Sequence, residues 1–250
     1  IVFDEVRKKF YLSIGSRSNV AREEYRALIE EYNDDGTGGR IYATGTRNAV
    51  GLTIRNSTGR IWATNNGSDW QGDNIPPEWI DIVRDNGYYG HPFAHSNQVY
   101  FNFFARSDYQ ALLPITSADS ALVRKQNQPA ALVQAHSAPM SIQFADSSFH
   151  EAFRNGAFVA FRGSWNRSTA TGYKVVYLDF DSPTDTTANY VADFFTGFLT
   201  NAVSGSHWGR PVGLAADTRG NLYVGSDAMT HFIAVISPSV ATDVDDDQND

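Results

Sequence analysis

The sequence contains no cysteine. Disulfides and thiolate metal sites are therefore excluded, which fits a cytosolic chain or a bacterial exported one. It also lacks a basic excess: 20 Lys and Arg stand against 28 Asp and Glu, a net charge of −8. General binding to nucleic acid needs clustered cations on the phosphates and is not expected. No apolar run approaches the roughly 18 residues of a membrane span. No signal peptide or initiating Met is visible, and the chain opens at Ile1 inside a strand-like run. That opening points to a processed or partial chain. The six histidines, at 91, 95, 136, 150, 207 and 231, show neither HExxH nor HxH spacing. A zinc enzyme is thus not expected, and no G-x-S-x-G elbow or P-loop occurs.

What is present is a foldable core. The chain of 250 residues is 42% hydrophobic and 13% aromatic, enough for one large domain or two small ones. Four segments repeat one plan: an apolar strand, a turn, a second apolar strand, then Gly-Ser. They are Ile1–Asp4 with Lys9–Ile14 before Gly15-Ser16, and Val50–Ile54 with Arg60–Thr64 before Gly67-Ser68. The third is Pro139–Phe144 with Ala157–Phe161 before Gly163-Ser164, and the fourth Pro211–Ala216 with Leu222–Val224 before Gly225-Ser226. Val, Ile, Phe and Tyr fill the strands, and Gly or Asn sits where hairpin turns need positive φ. Tyr173–Leu178 and Phe232–Ile236 read as outer strands. Repeated short-strand units predict an all-β propeller; a β-sandwich is the runner-up but does not predict the recurring Gly-Ser. The wide gap between the second and third units holds either a fifth unit or a long insertion. Glu23–Asn33 reads as a short helix or an ordered loop, and Pro76–Val83 as one helical turn. The propeller is expected over residues 1–240 and an acidic tail or linker over 241–250. An EF-hand reading of that tail lacks the required glycine and terminal glutamate.

In a propeller, equivalent strand ends converge near the axis, so loops before and after equivalent strands face one site. The loop Ala160–Ser168 carries two Arg, a Trp, an Asn and two Ser in nine residues, more polar and stacking capacity than a simple turn needs. Arg47-Asn48 precedes the second unit and Arg210 the fourth. Arg there either recognises a carboxylate on an axial ligand or satisfies loop carbonyls between blades. His136 precedes the third unit; it is either a site residue or an interblade hydrogen-bonding group. Thr64–Asp69 offers oxygen donors of the kind Ca²⁺ takes, with Asp69 and Asp73 as candidate helpers or Asx caps. Asn56, Asn66 and Asn166 open glycosylation triplets, which matter only in a secreted protein.

The strings GTRNAVGL, GRIWATNNGSDWQGDNIPPE, GYYGHP, AHSAP, FRGSWNRSTATGYKVV and WGRPVGLAADTRGNLYVGSD resemble, in order, the soluble PQQ-dependent sugar dehydrogenases of the glucose/sorbosone group, including the pyranose dehydrogenase type. The likeness runs from Ile1 to about Ser237. It implies a six-bladed propeller, here without its N-terminal blades, holding pyrroloquinoline quinone (PQQ) and Ca²⁺ near the axis. It also implies that Arg47, Asn48, His136, Arg162, Trp208 and Arg210 bind the cofactor, while Gly67 and Ser68 present carbonyls to the metal. Relatives often read His where this chain has Arg162. The family's catalytic His is expected upstream of Ile1, so no residue of this chain is assigned that role. The expected reaction is oxidation of an aldose or pyranose, with electrons passed to an external acceptor such as a cytochrome or a quinone. The expected location is extracellular or periplasmic. The alternative is a non-catalytic propeller for carbohydrate binding or extracellular assembly, including assembly with another chain.

Overall fold

The computed structural model describes residues 1–238; the acidic tail lies outside them. The strands β1 Val2–Asp4, β2 Lys9–Ile14, β3 Leu28–Asn33 and β4 Arg40–Thr44 form a first antiparallel blade. The second opens with β5 Asn48–Arg55, β6 Arg60–Asn66 and β7 Glu78–Ile82. An excursion follows, with β8 Gly87–Tyr88, β9 Ala94–His95, β10 Val99–Tyr100, α1 Ser107–Gln110 and α2 Ser117–Val123, before β11 Ala131–Val133 returns to pair with β7. The third blade is β12 Pro139–Phe144, β13 Ala157–Phe161, β14 Lys174–Asp179 and β15 Tyr190–Phe195. A hairpin, β16 Leu199–Asn201 and β17 Ser206–His207, leads to the last sheet, β18 Pro211–Ala216, β19 Leu222–Ser226 and β20 Ile233–Ile236. Strand β5 packs on β12 and β12 on β18, so the first strands of successive blades neighbour one another. The fold is the β-propeller expected from the repeat.

Each expected strand pair forms. The turn residues Gly59 and Gly220 have φ of +64° and +79°, as tight hairpins require. Three expectations are corrected or resolved. Within Glu23–Asn33, residues Leu28–Asn33 are strand, paired with β2 from Lys9↔Asn33 to Ile14↔Leu28. Phe10 and Tyr32 stack across that pair at 5.0 Å, and the Tyr11 hydroxyl donates to Glu31 at 3.1 Å. Cross-strand packing here overrides a helical propensity. Glu78–Ile82 is a wholly buried strand between β6 and β11, not a helical turn. The wide gap holds an insertion, not a fifth unit.

Between-blade cores are apolar. Trp62, Ile80, Val159, Phe161, Val176 and Leu178 form one between the second and third blades, and Phe158, Val175, Leu222 and Val224 another between the third and fourth. The insertion has its own cluster around Tyr88, Phe93, Phe101, Tyr109 and Val123. Arg22, on the loop after β2, pins it by a fork on Asp119 (2.6 and 2.8 Å) and lies over the Phe93 ring at 4.6 Å. Asp119 also accepts from the Thr116 backbone amide at 2.8 Å, half of a capping box on α2. The Arg22 guanidinium holds its carboxyl well below the usual carboxylate range. Its stabilising contribution is therefore complete at neutral pH and lost as pH falls through 3.8 toward the folded value. Asp119→Ala is expected to destabilise by roughly 2 kcal/mol, below the buried-pair range because Arg22 is partly solvated. Limited proteolysis should show the first new cuts between residues 101 and 126; cuts elsewhere first would refute the pin.

Candidate functional site

Loops before β5, β12 and β18 meet loops after β2, β6, β13 and β19 at one end of the blades. The first cluster centres on Arg47. Its Nε donates to the Asn19 carbonyl at 3.1 Å, and Nη1 to the carbonyls of Asn66 (3.4 Å) and Gly67. Its Nη2 reaches Asn19 Oδ1 at 3.4 Å and Asp69 Oδ2 at 3.3 Å. All five guanidinium N–H groups thus have partners inside the protein. Asn19 also accepts from the Asp69 amide at 2.6 Å, and the Tyr109 hydroxyl donates to the Asp69 carbonyl at 2.6 Å. The insertion and the first blade therefore both fix the loop after β6.

His136 lies across Asp69 from Arg47. Its Nε2 is 3.0 Å from the Gly72 carbonyl, which can only accept, and its Nδ1 is 3.5 Å from Asp69 Oδ1. Burial works against the charged ring, but the Asp69 carboxylate and Gly72 carbonyl outweigh it and hold its pKa above the usual value. Below the loop, the buried Glu78 carboxylate accepts from the Gly67 amide, and burial pushes its pKa up to about 7. Arg47, Trp70 and His136 have φ of +29°, +69° and +62°. Such conformations persist where surrounding contacts over-determine them, and they concentrate at functional sites.

The second cluster joins the third and fourth blades. Arg210 donates through Nε to the Arg162 carbonyl (3.2 Å) and through Nη2 to the Gly163 carbonyl (3.3 Å), and lies over the Tyr173 ring at 5.5 Å. Burial, then the charge of Arg162, lowers its pKa. Arg162 Nε donates to Asp227 at 2.7 Å. Trp208 stacks with Phe198 and Phe232 at 4.9 and 5.0 Å, and its indole donates to the Gly197 carbonyl at 2.8 Å. Asn48 lies against Gly15, and its backbone amide donates to Asn65 Oδ1 at 3.1 Å. In three of the four Gly-Ser repeats the glycine carbonyl accepts from an arginine: Gly15 from Arg26, Gly67 from Arg47 and Gly163 from Arg210.

The structure thus brings Arg47, Gly67, Ser68 and His136 into one cluster and Arg162 and Arg210 into another. The loop 163–168 links them: Ser168 N donates to Asp73 Oδ1 at 3.0 Å, and Trp70 N to Asn166 Oδ1 at 2.8 Å. Sequence reasoning missed Asn19, Tyr109 and Glu78. Asn19 had one signal, its place just after the first Gly-Ser; the other two had none.

These residues can be tested against the expected cofactors. Among the described residues, Nη1 and Nη2 of Arg162 and Nη1 of Arg210 make no hydrogen bond within the protein, and Arg167 Nε is buried without a partner. Such donors fit the carboxylates of a planar quinone. Calcium at the Gly67 carbonyl does not fit this arrangement, because the Arg47 guanidinium already holds that oxygen. Beside it, among the described residues, the buried Asn66 Oδ1 has no partner and the Ser68 carbonyl accepts no hydrogen bond. No group of three or more His, Asp or Glu could hold a metal among the described residues.

Residues 97–239 match the family model described as TrAA12-like. A Borreliella burgdorferi protein described as uncharacterized is 31% identical over 231 residues, covering 91% of this chain and 57% of its own length. Among solved structures, the holo PQQ domain of a pyranose dehydrogenase from Coprinopsis cinerea matches with a TM-score of 0.70 at 24% identity, over 91% of this chain and 66% of that one. The calcium structure of a Trichoderma reesei Carbohydrate-Active Enzymes Family AA12 protein matches with a TM-score of 0.75 at 21% identity, over 95% of this chain and 67% of that one. At these identities the structural likeness establishes the fold. The chain spans little more than half of the curated relative and about two thirds of these structures.

Proposed function

Because this chain belongs to the TrAA12-like family, we propose that it serves PQQ-dependent oxidation of an aldose or pyranose, with electrons passed to an external acceptor. The observation that carries this reading is the pair Arg162 and Arg210, held together by a backbone contact yet keeping guanidinium donors free. Bound there, the quinone would supply a two-electron acceptor for the sugar carbon. Arg162 and Arg210 would clamp its carboxylates. The His136 ring, braced between Asp69 and Gly72, would fix the loop that walls the site. No step is assigned to calcium at Gly67. An extracellular or periplasmic location belongs to the same proposal. Among the described residues no helix is long and apolar enough to cross a membrane.

The test is calorimetric titration of PQQ into the purified full-length protein. About one equivalent is expected to bind, and the Arg162→Ala/Arg210→Ala double variant should weaken binding on the order of a hundredfold, since charge-assisted hydrogen bonds contribute roughly 1.5–3 kcal/mol each. No binding by protein shown to be folded would overturn the reading. A second reading, a propeller that binds carbohydrate without oxidising it, is favoured by the complete internal engagement of Arg47. It predicts sugar binding without quinone binding.

A further inference from the structure

Two tryptophans stand exposed where the loops after β6 and β13 meet. Trp70 is 44% and Trp165 68% accessible. Their ring centroids are 5.4 Å apart at 81°, a corner instead of a stack. Single exposed apolar residues need no explanation, but these two are braced. Trp70 N donates to Asn166 Oδ1 at 2.8 Å; the Ser168 amide donates to Asp73 Oδ1 at 3.0 Å; Arg167 donates to the Asp73 carbonyl. Arg106, from the insertion, lies over Trp70 at 4.9 Å. Trp70 is thus the supported wall, and Trp165 is the ring left open.

The rings border a cavity of about 510 Å³, also lined by Gly72, Asp73, Asn166, Arg167 and Ser168, within the range of ligand sites. Its polar groups suit hydroxyls. Hydrogen bonding from the Ser168 amide holds the Asp73 carboxyl below its usual pKa, so it is an acceptor at neutral pH. Among the described residues, the Asn166 amide N–H₂ and both indole N–H groups make no hydrogen bond within the protein. The cavity adjoins the first cluster, because the Gly72 carbonyl that lines it is the partner of His136 Nε2.

We propose that Trp165 and Trp70, with Asp73 and Asn166, form a subsite that stacks a neutral pyranose ring of an oligosaccharide. A sugar ring offers an apolar C–H face and a rim of hydroxyls, the complement of a flat indole beside a carboxylate and an amide. This inference rests on the sugar reading of the neighbouring site and specifies its substrate class: a chain of sugars, with one unit held on the tryptophans and another reaching the cofactor side.

The test uses the full-length protein without cofactor and four probes: cello-, xylo-, manno- and maltotetraose, each against its monosaccharide. Tryptophan fluorescence is expected to shift saturably with at least one tetrasaccharide, which should bind at least tenfold more tightly than its monosaccharide. Trp165→Ala should weaken that binding at least tenfold, as truncating an aromatic residue that the ligand covers does, and Trp165→Tyr should recover most of it. Thermal melting checks that the exposed substitutions leave the fold intact. No tetrasaccharide binding, or binding unmoved by Trp165→Ala and Trp70→Ala, would overturn the subsite. Quinone binding is scored separately. Tryptophan-dependent tetrasaccharide binding without quinone binding sustains the subsite and sinks the oxidation reading; the reverse sinks the subsite alone.

Discussion

Replacing His91 by phenylalanine is expected to raise stability, and to raise it more at pH 4.5 than at pH 7.5. His91 is only 6% exposed, and neither ring nitrogen has a hydrogen-bond partner among the described residues. Leaving a buried polar group unsatisfied costs about 1–3 kcal/mol; a phenyl ring of similar size escapes that cost at any pH. Burial, and then the nearby charge of Arg47, also pulls the His91 pKa down from 6.5 to about 3. The folded value lies below the unfolded one, so the stability linked to the neutral ring is present above 6.5 and lost as pH falls toward 3. Two pH units inside that window correspond to roughly 2–3 kcal/mol. His95, pulled down to about 4 by burial, acts in the same direction. Glu78 acts in the opposite one: its pKa is raised from 4.5 to about 7, so its burial costs stability at neutral pH and that cost is relieved on acidification. The wild-type profile alone therefore mixes opposing contributions, and the difference between variant and wild type isolates His91. Urea unfolding at both pH values measures it. A difference that does not change with pH would refute the neutral, buried assignment.

How far the chain could be read in advance depends on whether the signal was local. The paired strands of each unit were legible because two apolar runs flank a short turn, and β12, β13 and β18 have the limits read from the sequence. Strand β7 was not legible. Pro76-Pro77-Glu78 looks like a helix start, and a strand buried on both faces should be apolar throughout. Glu78 and Asp81 break that pattern because partners outside the strand satisfy them, one of them nearby in sequence and one far away. Gly67 N donates to Glu78, while Arg84 (2.8 Å) and the Ala130 amide (3.2 Å) donate to Asp81. The site divided the same way. Position before an inner strand marked Arg47, His136 and Arg210, but what each side chain touches was not written there. Both alternatives for arginine had been open, and Arg47 and Arg210 do bond loop carbonyls. Asn19 is 50 residues from the Asp69 amide it accepts from, and no local pattern announces such a pairing.

Removing Arg55 is expected to be among the most damaging single changes to the scaffold. Arg47 and Arg55 bracket β5: one sits at the site and the other at the opposite end, where the second blade meets the third. Arg55 is 4% exposed and lies between two aromatic faces, 4.8 Å from the Phe144 ring and 4.9 Å from the Phe180 ring. Its guanidinium donates to the carbonyls of Asn155 (2.6 Å), Ser182 (3.3 Å) and Asp185 (3.4 Å). Burial lowers its pKa, but a guanidinium starts so high that it stays charged. Three carbonyl dipoles and two ring faces thus solvate a cation inside an interblade seam. Arg55→Ala leaves three carbonyls without their donor and a void between the rings, an expected loss of roughly 3–5 kcal/mol. Arg55→Lys keeps the charge but loses the fork and the planar stacking, and should fall between alanine and wild type. Arg55→Met is the discriminating variant, because it fills the slot between the rings and donates nothing. If packing dominates, methionine will match wild type in denaturant midpoint. If the hydrogen bonds dominate, as three converging carbonyls imply, methionine will lie near alanine. Because the seam sets the angle between the two blades, these variants should also loosen the opposite end, where the third-blade loop carrying Trp165 meets the second-blade loop carrying Trp70. Faster hydrogen exchange in residues 67–73 and 162–168 of Arg55→Ala, under conditions where it remains folded, is the expected sign; unchanged exchange there would confine Arg55 to local stability.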